Sequence, residues 1–214
     1  MHSVHPDALH PGGPTDAPAD GAVRAPVPVK VLVAGGFGVG KTTLVATMSD
    51  ITPLRTEAPM TALSVGVDDT SQVAGKTTTT VALDFGRSAL SPELVLYMFG
   101  TPGQDRFLVM WDELATGAVG AIVLVDTRRL ADAFGPVAYF EKAGLPFVIA
   151  VNRFPGAVAY PEAALREALA VDPDVPITSG DARDPVSSRQ LLVTLVQHAL
   201  GRARSATGLA QPVG

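Results

Sequence analysis

The sequence predicts an α/β fold: a doubly wound sheet of six strands, mostly parallel with one antiparallel strand. Three observations predict it. Apolar runs of strand length alternate with segments of helical spacing or composition. The runs are continuously apolar, as strands covered on both faces are. One of them, at residues 29–34, leads directly into a glycine-rich turn and then a helix, the strand–turn–helix unit of open α/β sheets.

In chain order, residues 1–26 carry His, Pro, Gly and Asp with almost no large apolar side chain. They cannot repay the entropy of ordering, so a disordered arm is expected. His2, His5 and His10 fit neither a helical nor a zinc-site spacing. Val29 to Ala34 forms the first strand, and Thr42 to Met48 the helix that leaves the turn. Residues 51–76 hold Thr, Pro, Gly and Asp without a clear period, and a loop of that length is usually functional. The next strands are Thr79 to Phe85 and Leu94 to Phe99. The eight residues between them, Gly86 to Glu93, are too few for a crossover helix, so the two strands form an antiparallel hairpin.

Beyond the hairpin the parallel alternation resumes. Asp105 to Ala115, Phe134 to Lys142, Pro161 to Ala170 and Ser187 to His198 are helical. Val119 to Val125, Pro146 to Val151 and Val175 to Thr178 are strands. One domain over residues 27–203 accounts for all of this, with a flexible tail at 204–214. A chain of this size can bury roughly 70% of its unfolded surface in a single core.

The turn itself reads Gly35-Gly36-Phe37-Gly38-Val39-Gly40-Lys41-Thr42, a complete G-x-x-x-x-G-K-[ST] phosphate loop. In such a loop, backbone N–H groups from Gly38 to Thr43 cradle phosphates at a helix N-terminus, Lys41 reaches the β/γ oxygens, and the Thr42 hydroxyl ligates Mg²⁺. Twenty-one glycines make loose glycine patterns common by chance, but the strand before and the helix after this one are its structural context. A bound nucleoside triphosphate follows.

Composition excludes other classes. Net charge is −5 and the pI about 5.3, against the basic field that nucleic acid requires. No cysteine is present, so disulfides, thiolate metal sites and Cys-linked lipids are excluded. No apolar stretch approaches the length of a membrane span, and neither a signal peptide nor a lipidation motif is legible. A cytoplasmic protein without its own membrane anchor is expected, peripheral to a membrane only through a partner.

After the third strand comes Gly100-Thr101-Pro102-Gly103-Gln104-Asp105-Arg106-Phe107, which resembles the Asp-x-x-Gly-Gln second-switch signature of Ras-like small GTPases. The resemblance extends through Gly66-Val67-Asp68-Asp69, Lys76 to Gly86, Met110 to Leu114, Val123 to Leu130 and Asp181-Ala182-Arg183, covering about residues 28–203. In that combination the chain is similar to the conservon-type bacterial GTPases, distant kin of the gliding-motility polarity GTPase. The resemblance implies that Gly103 offers its N–H to the γ-phosphate and that Gln104 orients the attacking water. Thr80, four residues before Asp84-Phe85, takes the place of the first-switch threonine that senses Mg²⁺ and the γ-phosphate, with Thr79 and Thr61 as alternatives. Catalytic residues on this reading are Gln104, Lys41 and Gly103, and the metal is held by Thr42 and Thr80.

Two departures stand out. Gly100 replaces the usual acidic residue that supports Mg²⁺ through water, and Asp126 at the end of the next strand is the candidate substitute. In Asn152-Arg153-Phe154-Pro155 the asparagine of the guanine-reading Asn-Lys-x-Asp motif is kept and Arg153 can stack on the base, but Pro155 replaces the base-reading aspartate. In Asp181-Ala182-Arg183 the Ala182 N–H can meet the guanine O6. The implied activity is a GTP/GDP switch with slow, partner-stimulated hydrolysis; the alternatives are a nucleotide-stabilised scaffold and a P-loop ATPase of relaxed base choice. Implied partners are a roadblock-type regulatory protein and, through it, a histidine-kinase-like sensor.

Overall fold

A computed structural model describes residues 25–60, 79–102 and 109–207 of the chain, with the side chains of 55–60, 79–82 and 109 outside the description. The elements are β1 (Val27–Ala34), α1 (Lys41–Met48), β2 (Leu54–Met60), β3 (Thr79–Ser91), β4 (Leu94–Gly100), α2 (Val109–Ala115) and β5 (Ala118–Val125). A 3₁₀ segment (Thr127–Ala133) runs into α3 (Phe134–Ala143), then β6 (Phe147–Asn152), α4 (Glu162–Leu169), β7 (Ile177–Gly180) and α5 (Pro185–Ala206).

All strands join one sheet in the order β2-β3-β4-β1-β5-β6-β7. β3 is antiparallel to both β2 and β4, and the other neighbouring pairs are parallel. The single reversed strand is the one the short 86–93 connection predicted. The six expected strands are joined by a seventh at the sheet edge: Leu54–Met60, in a segment read as irregular, pairs with Thr79–Phe85. Its sequence, Leu-Arg-Thr-Glu-Ala-Pro-Met, has no apolar period, and a proline is tolerated on an edge strand. α5 continues to Ala206, beyond the boundary expected at 203.

Side-chain alternation along each strand divides the core between the two faces of the sheet. Val31, Val33, Leu96, Met98, Ile122 and Leu124 point toward α1 and α5, where Leu44, Val45, Leu191 and Leu195 meet them. Leu32, Ala34, Ala121, Val123 and Val125 point to the opposite face, against Trp111, Val137, Phe140 and Leu169. Trp111 stacks on Phe140, meets Tyr139 edge-on and is buried in this core. Fully burying each such aliphatic or aromatic side chain contributes about 1.5–3 kcal/mol. This two-sided packing fixes the carboxyl ends of β1, β4, β5, β6 and β7 at one rim, where open α/β sheets carry their ligands.

Candidate nucleotide site

Between β1 and α1 the chain turns through the glycine-rich loop. Gly40 precedes the helix with φ of 107°, a left-handed conformation that favours glycine. A Cβ there would also lie 2.5 Å from Asn152 Nδ2. No side chain among the described residues caps α1, and its first turn holds no acidic residue. The first N–H groups of the helix therefore face the loop without a side-chain acceptor, the arrangement that binds phosphate.

Lys41 folds back over this loop. Its ammonium donates to the Gly35 and Gly36 carbonyls, both at 2.8 Å. Burial lowers its pKa to about 8, while the Asp84 carboxylate opposes that shift. The loop is held from both sides. Asn152 Nδ2 donates to the Val39 carbonyl at 2.9 Å, and Arg129 Nη2 donates to the Phe37 carbonyl at 2.7 Å. Asn152 Oδ1 in turn accepts the Ala182 N–H at 3.0 Å. One buried asparagine thus joins the phosphate loop to the segment after β7. Arg129 was not legible as a loop residue, because it lies 92 positions from its partner.

Thr42, expected at the metal, has a partner within the protein. Thr42 Oγ1 donates to Asp84 Oδ2 at 2.5 Å. Asp84 on β3 pairs in register with Gly100 on β4, and a Cβ on Gly100 would lie 3.0 Å from the Asp84 Cβ and 3.3 Å from its Oδ2. A carboxylate thus stands one strand over from position 100, and the glycine makes room for it. Asp126, the substitute expected from the sequence, is engaged elsewhere. It is buried, accepts the Arg128 backbone N–H at 2.9 Å, and forms a two-pronged ion pair with the Arg128 guanidinium at 2.9 and 2.7 Å. Hydrogen bonding from Arg128, opposed by burial, holds its carboxyl below the usual range.

A cleft of about 440 Å³ opens over these groups, lined by Gly38, Gly40, Lys41, Thr42, Thr43, Asp84 and Gly100 to Pro102. Its volume suits a small-molecule ligand. Thr101 in its wall is buried, and its hydroxyl has no hydrogen-bond partner among the described residues. Such an orphaned group is a candidate ligand contact, and sequence reading gave Thr101 no function. The donors at this end, one hydroxyl and one carboxylate, are hard oxygens of the kind Mg²⁺ takes alongside phosphate and water. Among the described residues no group of three or more His, Cys, Asp or Glu side chains could hold a metal ion.

At the ends of β6 and β7, Arg153 and Asp181 leave the sheet side by side, since Asn152 and Gly180 pair in register. The Ala182 N–H, expected to face a guanine O6, is donated to Asn152, and the Arg183 N–H is donated to Asp181 Oδ1. Pro155 has no side-chain acceptor. Thr80 lies on β3 opposite Pro59; its side chain is outside the description. Gly103, Gln104 and Arg106 of the second-switch motif, and Thr61, lie outside the described residues, as do residues 1–24 and 208–214. No helix among the described residues is long and apolar enough to cross a membrane.

Fold and loop together define a P-loop NTPase domain of small-GTPase-like architecture. The chain belongs to the family described as conserved hypothetical ATP binding protein, whose model matches residues 33–202. It is similar to an uncharacterized protein of Methanocaldococcus jannaschii, 28% identical over 58% of this chain and 70% of that one. Among solved structures it resembles the cytosolic domain of the T. maritima FeoB iron transporter in its apo form (TM-score 0.57, 17% identity), covering 81% of this chain and 64% of that one. The G domain of the same transporter gives 0.55 at 16% identity, covering 81% and 99%. The FeoB G-domain from Methanococcus jannaschii gives 0.52 at 12%, covering 80% and 97%. At these identities the structural likeness concerns the fold; with the family match and the loop geometry it supports nucleotide binding.

Proposed function

We propose that this protein is a GTP-binding switch that hydrolyses GTP slowly to GDP and phosphate, of the conservon-type small GTPases. The observation that carries the proposal is the Lys41–Thr42–Asp84 constellation beneath the open first turn of α1. Lys41, held against the loop carbonyls, exchanges them for β/γ oxygens when phosphate enters. The α1 N–H groups receive the same anion, and both contacts strengthen as negative charge builds on the phosphoryl group in flight. Mg²⁺, when bound, would be held by Thr42 and Thr80 with support from Asp84, and would neutralise phosphate charge. Gly103 donates its N–H to the γ-phosphate and Gln104 positions the water. Hydrolysis releases Thr80 and Gly103, and the two switch segments change state.

Without a supplied cation, a site of this type turns over at roughly 10⁻⁴ to 10⁻³ per second. The resemblance proposes a roadblock-type regulator and a histidine-kinase-like sensor as the partners that change this rate. The test is single-turnover phosphate release from Mg²⁺-GTP. Release that Gln104→Leu abolishes supports the switch; no release even with cognate partners would leave only a nucleotide-stabilised scaffold. One observation favours a second reading. The family is described as ATP binding and Pro155 lacks the base-reading carboxylate, so a P-loop ATPase is the competing assignment, and equal competition by ATP would support it.

A further inference from the structure

We infer that Asp181 is the residue that reads the guanine base, taking over at the end of β7 the acceptor function that Pro155 cannot supply. The inference rests on the guanine-nucleotide reading above and sharpens it.

Position comes first. Asp181 is the residue immediately after β7, at the ligand-facing rim of the sheet. It sits between Gly180, whose carbonyl accepts the Arg153 N–H at 2.9 Å, and Ala182, whose N–H is tied to Asn152. Asn152 is itself bonded to the phosphate loop at Val39. Asp181 is therefore one residue from the side-chain bridge that sets the distance between the phosphates and whatever base follows them.

Chemistry comes second. Guanine presents N1–H and a 2-amino group on one edge, and a carboxylate can accept from both with its two oxygens. Adenine presents a lone pair at N1 and a C–H at C2 on that edge, and a carboxylate repels the first. Among the described residues, Asp126 is buried within its Arg128 ion pair, Asp132 lies against Gly36 of the phosphate loop, and Asp184 caps α5 through the Val186 and Ser187 N–H groups. Asp181 is paired as well, with Arg183, but its side chain is open to solvent.

A comparison within the chain makes that openness specific. Asp126-Thr127-Arg128 and Asp181-Ala182-Arg183 share the pattern Asp-x-Arg at the ends of two parallel strands, with the same bonds. In each, Oδ1 accepts the arginine N–H and Nε at 2.9 Å, and Oδ2 accepts Nη2 at 2.7 Å. In the first fork the aspartate side chain is buried, 2% exposed, beneath an arginine that is 45% exposed and lies 4.4 Å from the Phe154 ring. The second is open, its aspartate and arginine side chains 26% and 65% exposed. Hydrogen bonding from Arg183 holds the Asp181 carboxyl down at about 2, so it is ionised at any physiological pH. Arg183 can swing away when a base supplies replacement donors.

The test uses the full chain and Asp181→Asn. Asparagine keeps the oxygen that accepts the Arg183 N–H and replaces the second acceptor by a donor, so the local turn is retained. Affinities for GTP, ATP and XTP, all with Mg²⁺, are measured on both proteins alongside thermal unfolding. Xanthine carries an oxygen where guanine carries the 2-amino group, so an amide matches it. The expected result is a loss of GTP affinity of about 10- to 100-fold with a gain for XTP, at an unchanged melting temperature. An unchanged order of GTP, ATP and XTP, in a variant whose wild type prefers GTP, would overturn the assignment of Asp181 alone. Wild-type protein that binds none of the three, or binds ATP as well as GTP, would overturn the guanine reading on which it stands.

Discussion

Replacing Asp84 by asparagine should change the magnesium dependence of nucleotide binding more than nucleotide binding itself. The carboxylate accepts the Thr42 hydroxyl at 2.5 Å and faces Lys41 across the same cleft. The Asp84→Asn side chain keeps the shape and one acceptor but removes the charge. Outer-sphere partners of a metal site are worth about 10- to 100-fold in metal affinity, equivalent to about 1.4–2.7 kcal/mol. The assay is a fluorescent-GTP titration at fixed protein against increasing Mg²⁺, repeated in EDTA. The midpoint for Mg²⁺ should rise by about 10- to 100-fold, while affinity in EDTA stays equal or improves, because a negative charge beside the phosphates has been removed. The exchange Asp84→Gly with Gly100→Asp should recover most of the midpoint shift, since it vacates the space at 84 and the neighbouring register returns a carboxylate to it. A magnesium midpoint unmoved in Asp84→Asn would refute the placement of the metal-supporting charge on β3.

Three further outcomes follow. With its pKa near 8, Lys41 is mostly charged at pH 7 and mostly neutral at pH 9; GTP affinity should fall about tenfold between them, and Lys41→Met should abolish that slope. Asn152→Ala strands the Val39 carbonyl and the Ala182 N–H; urea unfolding should show a loss of about 2 kcal/mol or more, with weakened binding of any nucleotide. Leu195→Ala, in the fully buried seam between α5 and the sheet, should cost about 2–5 kcal/mol in the same assay and leave the base preference unchanged.

Local chemistry made much of this molecule legible in its sequence. The phosphate loop is a contiguous motif, and its strand and helix carry their own patterns, so Gly35 to Thr42 could be placed without coordinates. The reversed strand β3 followed from the shortness of 86–93. What stayed hidden depends on strands lying side by side. Nothing in Asp84 or Gly100 announces that they are register partners on adjacent strands, and so Asp126 at a strand end looked the better metal residue until its Arg128 fork was seen. Arg129 and Thr101 were missed for the same reason: one reaches the loop from a distant 3₁₀ segment, and the other is an ordinary threonine until burial leaves its hydroxyl without a partner among the described residues. β2 was missed because an edge strand needs no apolar alternation.

The central claim is that this family member discriminates in favour of guanine nucleotides. Displacement of a bound fluorescent GDP from the wild-type chain by unlabelled GTP, GDP and ATP, at equal concentration and saturating Mg²⁺, tests it most directly. GTP and GDP should displace the probe and ATP should leave it in place. Equal displacement by ATP, or no binding of the probe, would contradict the account.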